Sequence, residues 1–231
     1  MESTLFLPPN CPMIGTHLSL IPMPSPFGHE FSGIVHSVGK GVTNIKEGHD
    51  IMSVHSAPCN TCDYCKRGLH NLCMNIMNDK VLGAFSEYIR IPEHVVRQNV
   101  FKKPENISFD EAAILEPLAC VVRPYSLLHV EDIKNAVIIG AGPIGLLHVL
   151  FLKSKGIKAI VSDLNEERLK VARSVGADVT TSPDALENYV NHYTNNMGAD
   201  LVVECTGIPH VWEKSVDHVR RGGTVILFRW L

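Results

Sequence analysis

Between residues 136 and 228, five apolar, strand-like runs alternate with four helical segments, and few folds accept that order. The strands are read at Ala136–Gly140, Lys158–Ser162, Asp178–Thr181, Asp200–Cys205 and Gly223–Phe228, and the helices at 143–155, 165–175, 184–194 and 208–219. The Val and Ile runs lack strict polar alternation, so each strand is expected to be covered on both faces. That implies a parallel sheet between helices, a doubly wound α/β domain over residues 126–231.

The first half has another character. Phe31–Val38 and Ile51–Val54 are short strand candidates, and Ala84–Ile91 alternates and stops at Pro92, as a strand would. Pro and Gly are dense up to about residue 70, as turns between short strands require. Ser108-Phe-Asp-Glu111 has the capping-box pattern, and 112–128 reads as helix with a break at Pro117. A β-rich domain over 1–125 followed by the α/β domain accounts for all 231 residues.

Composition excludes several functions. Apolar residues make up 45% and charged residues 19%, values of an ordinary globular protein. With 21 basic against 24 acidic residues and no long run of either sign, no nucleic-acid or anionic-membrane partner is expected. No basic segment precedes Leu5-Phe6-Leu7, so a signal peptide is not expected. The apolar stretch 135–152 approaches the length of a membrane span, but Gly140, Gly142, Pro143, Gly145 and His148 interrupt it. The expectation is a soluble protein of the cytoplasm.

Four of the seven cysteines, Cys59, Cys62, Cys65 and Cys73, fall within fifteen residues. Such spacing is too tight for independent disulfides and suits one metal ion. Four thiolates complete a tetrahedral Zn²⁺ site with no open position, a structural site. An iron–sulfur cluster is the rival, although the bacterial ferredoxin run closes after three residues with Cys-Pro, whereas here seven residues intervene and Met74 follows. A zinc module for nucleic acid would need more basic surroundings than Lys66, Arg67 and His70 beside Asp63.

The run Ala136-Val-Ile-Ile139 leads directly into Gly140-Ala-Gly142-Pro143-Ile144-Gly145, with a helix following. The first glycine permits a tight turn, the second lets a pyrophosphate approach the backbone, and the third lets helix and strand pack closely. The alternative is a glycine-rich junction without a ligand. Asp163 ends the second strand, eighteen residues beyond Gly145. A carboxylate there accepts from both ribose hydroxyls and repels a 2′-phosphate, which selects NAD over NADP. It also suits a helix cap, since Asn165-Glu166-Glu167 open a helix; Arg168 lies one turn on, within reach of the ribose.

Gly28-His29-Glu30-Phe-Ser-Gly33, then Gly39 and Val42, precedes the cysteine loop and the glycine turn. Together the three motifs resemble the zinc-dependent medium-chain dehydrogenase/reductases, the group of alcohol, sorbitol and threonine dehydrogenases, from about Pro26 to Phe228. The resemblance implies a GroES-like catalytic domain and a Rossmann domain. It implies a catalytic zinc on His29, an upstream cysteine and a later acidic or thiolate ligand, for which Glu116 in Leu115-Glu-Pro-Leu118 matches the polyol and threonine branch. Glu30 ligates directly in some relatives and stands behind the metal in others. Thr16 matches the relay hydroxyl, and Thr206 joins Gly140, Gly142, Pro143, Ile144, Gly145, Asp163 and Arg168 as a cofactor residue. The implied activity is NAD-dependent hydride transfer from a small secondary alcohol, polyol or threonine-like substrate.

Three departures from the family pattern stand out. Relatives carry Cys-Gly-Thr/Ser-Asp upstream, where this chain has Ile14-Gly15-Thr16-His17, with Cys11 three residues early. The β-rich part ahead of that stretch is short. No sixth strand follows Gly223–Phe228, which leaves that strand as an apolar edge. The chain therefore reads as trimmed at both ends, and a catalytically impaired relative that keeps structural zinc and weak NAD binding is the alternative expectation. Relatives often pair through the sixth strand, so a homo-oligomer stays open.

Overall fold

A computed structural model of the chain describes residues 26–78 and 80–228. They form two compact units that divide between Glu116 and Pro117. In the first, β1 (Phe31–Ile34), β2 (Asp50–Ser53) and β3 (Val100–Lys102) make an antiparallel sheet in the order β1-β2-β3. Phe31 pairs with Ser53 and Ile34 with Asp50. Behind the sheet, Phe31, Val35, Ile45, Ile51, Val81, Val95 and Val100 share one buried core.

The cysteine loop carries the short helix α1 (Asp63–Lys66), and α2 (Glu93–Asn99) runs directly into β3. Neither α2 nor β3 is anticipated from the sequence. Pro92 caps α2 rather than ending a strand. The strand expected over Ala84–Ile91 is absent, and the chain turns there instead. The reason is local: the Gly83 and Ala84 N–H groups both donate to the Gly28 carbonyl, and the Ser86 hydroxyl donates to the Gly83 and Tyr88 carbonyls. Those bonds close a turn and leave no ladder to extend.

The capping box at Ser108 opens α3 (Phe109–Ala113): the Glu111 N–H donates to the Ser108 hydroxyl at 3.1 Å, and the Ser108 N–H to the Glu111 carboxylate at 2.7 Å. The break that follows lies at Ile114, not at Pro117. Pro117 is the third residue of α4 (Leu115–Tyr125), where a backbone N–H has no partner within the helix, so proline costs little.

In the second unit β4 (Asn135–Ile139), β5 (Lys158–Ser162), β6 (Val179–Thr181), β7 (Ala199–Glu204) and β8 (Val219–Leu227) form a sheet in the order β6-β5-β4-β7-β8. Every pairing is parallel. The helices α5 (Pro143–Ser154), α6 (Glu166–Val175), α7 (Leu186–Thr194) and α8 (Pro209–Ser215) alternate with the strands. Side-chain parity explains why the strands read as apolar throughout. Ala136, Ile138, Val161 and Val203 pack with Val149 and Leu152 of α5 and Leu169 of α6. Their neighbours Val137, Ile139, Ile160 and Val202 face the other way, onto Leu186 and Val190 of α7. The last helix is shorter than expected, because Val219 to Arg221 already belong to β8, an edge of this sheet that is therefore not wholly apolar.

One polar pair lies inside the first of those cores. His148 is fully buried; its Nδ1 stands 2.8 Å from the Tyr125 hydroxyl, and its ring meets Phe228 edge-on. Burial pulls the imidazole down from 6.5 to about 4, so it is neutral in the folded protein at pH 7. The unfolded chain takes up this proton near pH 6.5, whereas the folded chain refuses it until about 4. The resulting stability is complete above 6.5, declines as the pH falls, and is gone below 4, a span worth ~3 kcal/mol. His148→Gln keeps an acceptor for Tyr125 and cannot titrate. Urea unfolding at pH 7 and pH 4.5 should show a smaller acid loss in this variant than in the parent chain, by ~2 kcal/mol; equal losses would remove His148 as the source.

Candidate functional site

Three arrangements of chemistry-bearing residues emerge from this fold. In the first, Cys59, Cys62, Cys65 and Cys73 place their sulfur atoms within 4.8 Å of one another. The Sγ of Cys62 is 3.5 Å from that of Cys65 and 4.0 Å from that of Cys73, and Cys59 lies 4.0 Å from Cys65. Four sulfurs at Zn–S bond length stand ~3.8 Å apart around a tetrahedron. None of the four is in a disulfide. The backbone N–H groups of Cys59 and Asn75 donate to Cys73, and that of Cys62 and the Thr61 hydroxyl donate to Cys59.

Those donors polarise the cluster. Hydrogen bonds from Thr61 and then Asn75 pull the Cys59 thiol down to about 5, while burial and the neighbouring thiols push Cys65 up to about 12. Without a cation, the loop cannot carry four thiolates; a divalent ion removes that conflict.

The second arrangement joins His29, His55 and Glu116, whose ligand atoms also lie within 4.8 Å of one another. Two of these were expected from the sequence; His55 was not. Its position follows from the β1–β2 ladder. The register opposes Phe31 to Ser53, so two residues further along, His29 comes opposite His55. Their rings meet edge-on at 4.8 Å. The second residue of α4 brings in the buried Glu116, whose Oε1 is 3.7 Å from His55 Nδ1. His29 itself is set by Gly28, where φ is +88° and a Cβ would stand 2.9 Å from the Phe85 ring.

Glu30, named beside His29 in the sequence, is exposed and is not among the three grouped ligands. Thr16 lies outside the described residues. Burial, and then the neighbouring His29, lower His55 to about 4, so it offers a neutral imidazole. Its Nδ1 is buried with no hydrogen-bond partner. Two imidazoles and a carboxylate with an orphaned ring nitrogen among them suit a divalent transition ion. Only the pairing register would have revealed His55 in advance, and no local motif marks it.

The third arrangement is the glycine turn. Gly140 has φ +102°, and a Cβ there would meet Thr206 at 3.1 Å, so Thr206 forms one wall of the turn. A Cβ on Gly145 would fall 1.9 Å from the Gly140 carbonyl oxygen, which lets α5 start directly against β4. Gly142 differs: its φ is −73°, and a Cβ on it would meet nothing within 4 Å. The space above it is an open cradle at the N-terminus of a twelve-residue helix that lacks a side-chain cap, the place a phosphate takes. Pro143 begins that helix, and the half-buried Ile144 packs into the core below.

Asp163 stands beside the turn. One carboxylate oxygen accepts from the Ala141 N–H at 2.7 Å and the other from the Asn165 N–H at 2.8 Å. Arg168 approaches to 3.9 Å with its head in solvent. The helix cap is Asn165, which accepts from the Glu167 and Arg168 N–H groups. Asp163 thus braces the glycine turn. Sequence reasoning also missed Glu204, fully buried, whose carboxylate accepts from the Thr206 N–H and hydroxyl and from the Gly207 N–H. It fixes the loop that carries Thr206.

Two family models match the chain: the alcohol dehydrogenase GroES-like domain over residues 10–105 and the zinc-binding dehydrogenase domain over 143–228. The chain belongs to the zinc-dependent medium-chain dehydrogenase family. Within it, the chain is 35% identical to an L-threonine 3-dehydrogenase of Bacillus velezensis over 210 residues, 88% of this chain and 59% of that protein. It is 33% identical to D-xylulose reductase A of Aspergillus oryzae, over 88% of this chain and 58% of that one. Among solved structures, alcohol dehydrogenase TADH from Thermus sp. ATN1 superposes with a TM-score of 0.81 at 30% identity, over 94% of this chain and 66% of that one. The chain thus spans somewhat under two thirds of the length of these relatives. The GroES-like domain of the family accounts for the first unit and its Rossmann-like domain for the second. No helix among the described residues is long and apolar enough to cross a membrane.

The tightest contact of the glycine turn gives a direct test. Gly145→Ala forces the Gly140 carbonyl aside, so it should destabilise the chain by ~1–3 kcal/mol and abolish dinucleotide binding. Gly142→Ala should weaken binding without loss of stability. Calorimetric titration with NAD⁺ and thermal unfolding read the two effects separately; equal behaviour of the two variants would contradict the roles given to these glycines.

Proposed function

We propose that the chain is a nicotinamide-dependent zinc oxidoreductase acting on the CH–OH group of a small secondary alcohol, polyol or threonine-like molecule. The convergence of His29 and Glu116, 87 residues apart in sequence, on one partly buried cluster carries this reading. Threonine and xylulose, named for the relatives above, supply the substrate class. A zinc ion on these ligands would polarise the substrate oxygen and favour loss of hydride to nicotinamide.

The chain's own groups do the rest. Gly142 and the free N–H groups of α5 seat the pyrophosphate, and Gly140 and Thr206 shape the turn beside it. The Asp163 carboxylate would accept the hydroxyl protons of a bound adenosine ribose and oppose a 2′-phosphate, a preference for NAD, with Arg168 beside it at 3.9 Å. Thr16 relays the alcohol proton. The four cysteines would hold a second zinc with no open position, one that organises the loop rather than taking part in turnover.

NAD⁺ reduction with threonine, xylitol, sorbitol and a simple secondary alcohol tests the activity. Turnover of at least one is expected; none, in chain with zinc and NAD⁺ both bound, would sink the reading and leave a binding-only relative. Asp163→Ala should bring the NAD⁺ and NADP⁺ affinities at least ~10-fold closer, with an unchanged ratio counting against the ribose role. Cys59→Ser should cost one zinc per chain by elemental analysis, and unchanged zinc content would contradict the four-cysteine site.

A further inference from the structure

We propose that His55 is a direct metal ligand, so that the second metal site is a thiolate-free set of His29, His55 and Glu116. The proposal rests on the dehydrogenase reading for the use made of the metal, and on geometry alone for the ligands.

The ladder carries the first part of the argument. In an antiparallel pair, side chains directly opposite each other emerge on the same face. The register that pairs Phe31 with Ser53 brings residues 29 and 55 opposite each other just past the last ladder pair. The two imidazoles so placed meet edge-on with centroids 4.8 Å apart, close enough for each to offer a nitrogen to one ion. Their ligand atoms and a Glu116 oxygen all fall within 4.8 Å of one another. Ligands around a tetrahedral zinc stand ~3.4 Å apart. The 3.7 Å from His55 Nδ1 to Glu116 Oε1 is already close to that value and too long for a hydrogen bond.

Satisfaction of polar atoms carries the second part. The His55 side chain is 15% exposed, and its Nδ1 is buried with no hydrogen-bond partner. A buried ring nitrogen beside a carboxylate is costly unless something lies between them. A divalent ion bonded to both removes that cost, and three protein ligands leave one position open for an oxygen from outside.

The ligand set has a chemical consequence. Two neutral imidazoles and one carboxylate leave a divalent ion with a net charge of +1, whereas a thiolate in place of either histidine would neutralise it. Such a site is a stronger Lewis acid and favours ions content with nitrogen and oxygen over soft, sulfur-seeking ones. Among the described residues it contains no sulfur to oxidise.

Cobalt reads the ligands directly. The chain, with zinc in its cysteine loop, is titrated with Co²⁺ while zinc and cobalt contents and the absorption spectrum are followed in one sample. One Co²⁺ per chain is expected, with the visible ligand-field bands of a four-coordinate ion and no added sulfur-to-cobalt charge-transfer band. His55→Ala should lower cobalt affinity at least ~100-fold while the loop zinc stays, which also shows that the chain remains folded. His55→Cys should regain cobalt and gain the charge-transfer band, a signal that a merely structural histidine would not produce. Cys11→Ser should change nothing.

Cobalt binding unchanged in His55→Ala, a charge-transfer band in the parent chain that disappears in Cys11→Ser, or no second ion in the parent chain would each overturn the proposal. A separate NAD⁺ turnover assay distinguishes its failure from that of the dehydrogenase reading. Cobalt bound as described without turnover of any alcohol overturns the reading and supports the ligand set. Turnover with metal held independently of His55 does the reverse.

Discussion

The register of two short strands governs the chemistry of the first unit. Phe31 opposite Ser53 is a pairing between residues of no catalytic interest. Because side chains alternate along each strand, that pairing decides what lies beyond the ladder's end, and what lies there is His29 facing His55. A slip of one residue would turn His55 to the opposite face of the sheet and dissolve the cluster with Glu116. The core beneath the sheet, with Phe31 and Ile51 among its members, resists such a slip, since it would expose these side chains. Burial of ordinary apolar residues thus holds two polar ones in place.

A comparable economy of contact operates in the second unit. The glycine turn is narrow because β4 and α5 approach so closely that a single methyl group at Gly145 would overlap the Gly140 carbonyl. Asp163 reaches over from the end of β5 to hold the Ala141 N–H, and Glu204 at the end of β7 holds Thr206. The turn is therefore braced from both neighbouring strands, on the side of the sheet where the carboxyl ends of the strands meet. The open space over Gly142 is what remains when these contacts are made, and it lies where ligands of doubly wound sheets bind.

The parallel sheet, its strand sequence and three of its helices were legible in the sequence, because a strand buried on both faces must be apolar throughout and its connections must be helical. The capping box at Ser108 and the cysteine loop were legible for a related reason: each depends on groups a few residues apart. Signals that depend on distant partners were misread. Ala84–Ile91 alternates like a strand, yet its backbone is claimed by Gly28, more than fifty residues earlier. Pro92 and Pro117 both read locally as stops, although Pro92 caps a helix and Pro117 lies in a helix's first turn, positions where proline loses no intrahelical hydrogen bond.

The candidate site divides along the same line. Local spacing and backbone sterics marked the four-cysteine loop and the glycine turn with Asp163 near it in the sequence alone, whereas His29 and Glu116 came from the family resemblance. It assigned Glu30 beside them, which the fold leaves exposed and outside the cluster. Only the tertiary structure decided that His55 completes the cluster and that Glu204 supports the loop beside the glycine turn. The reason is physical: each of these side chains acts through partners brought to it by strand pairing, and pairing register is a property of two segments, written in neither one alone.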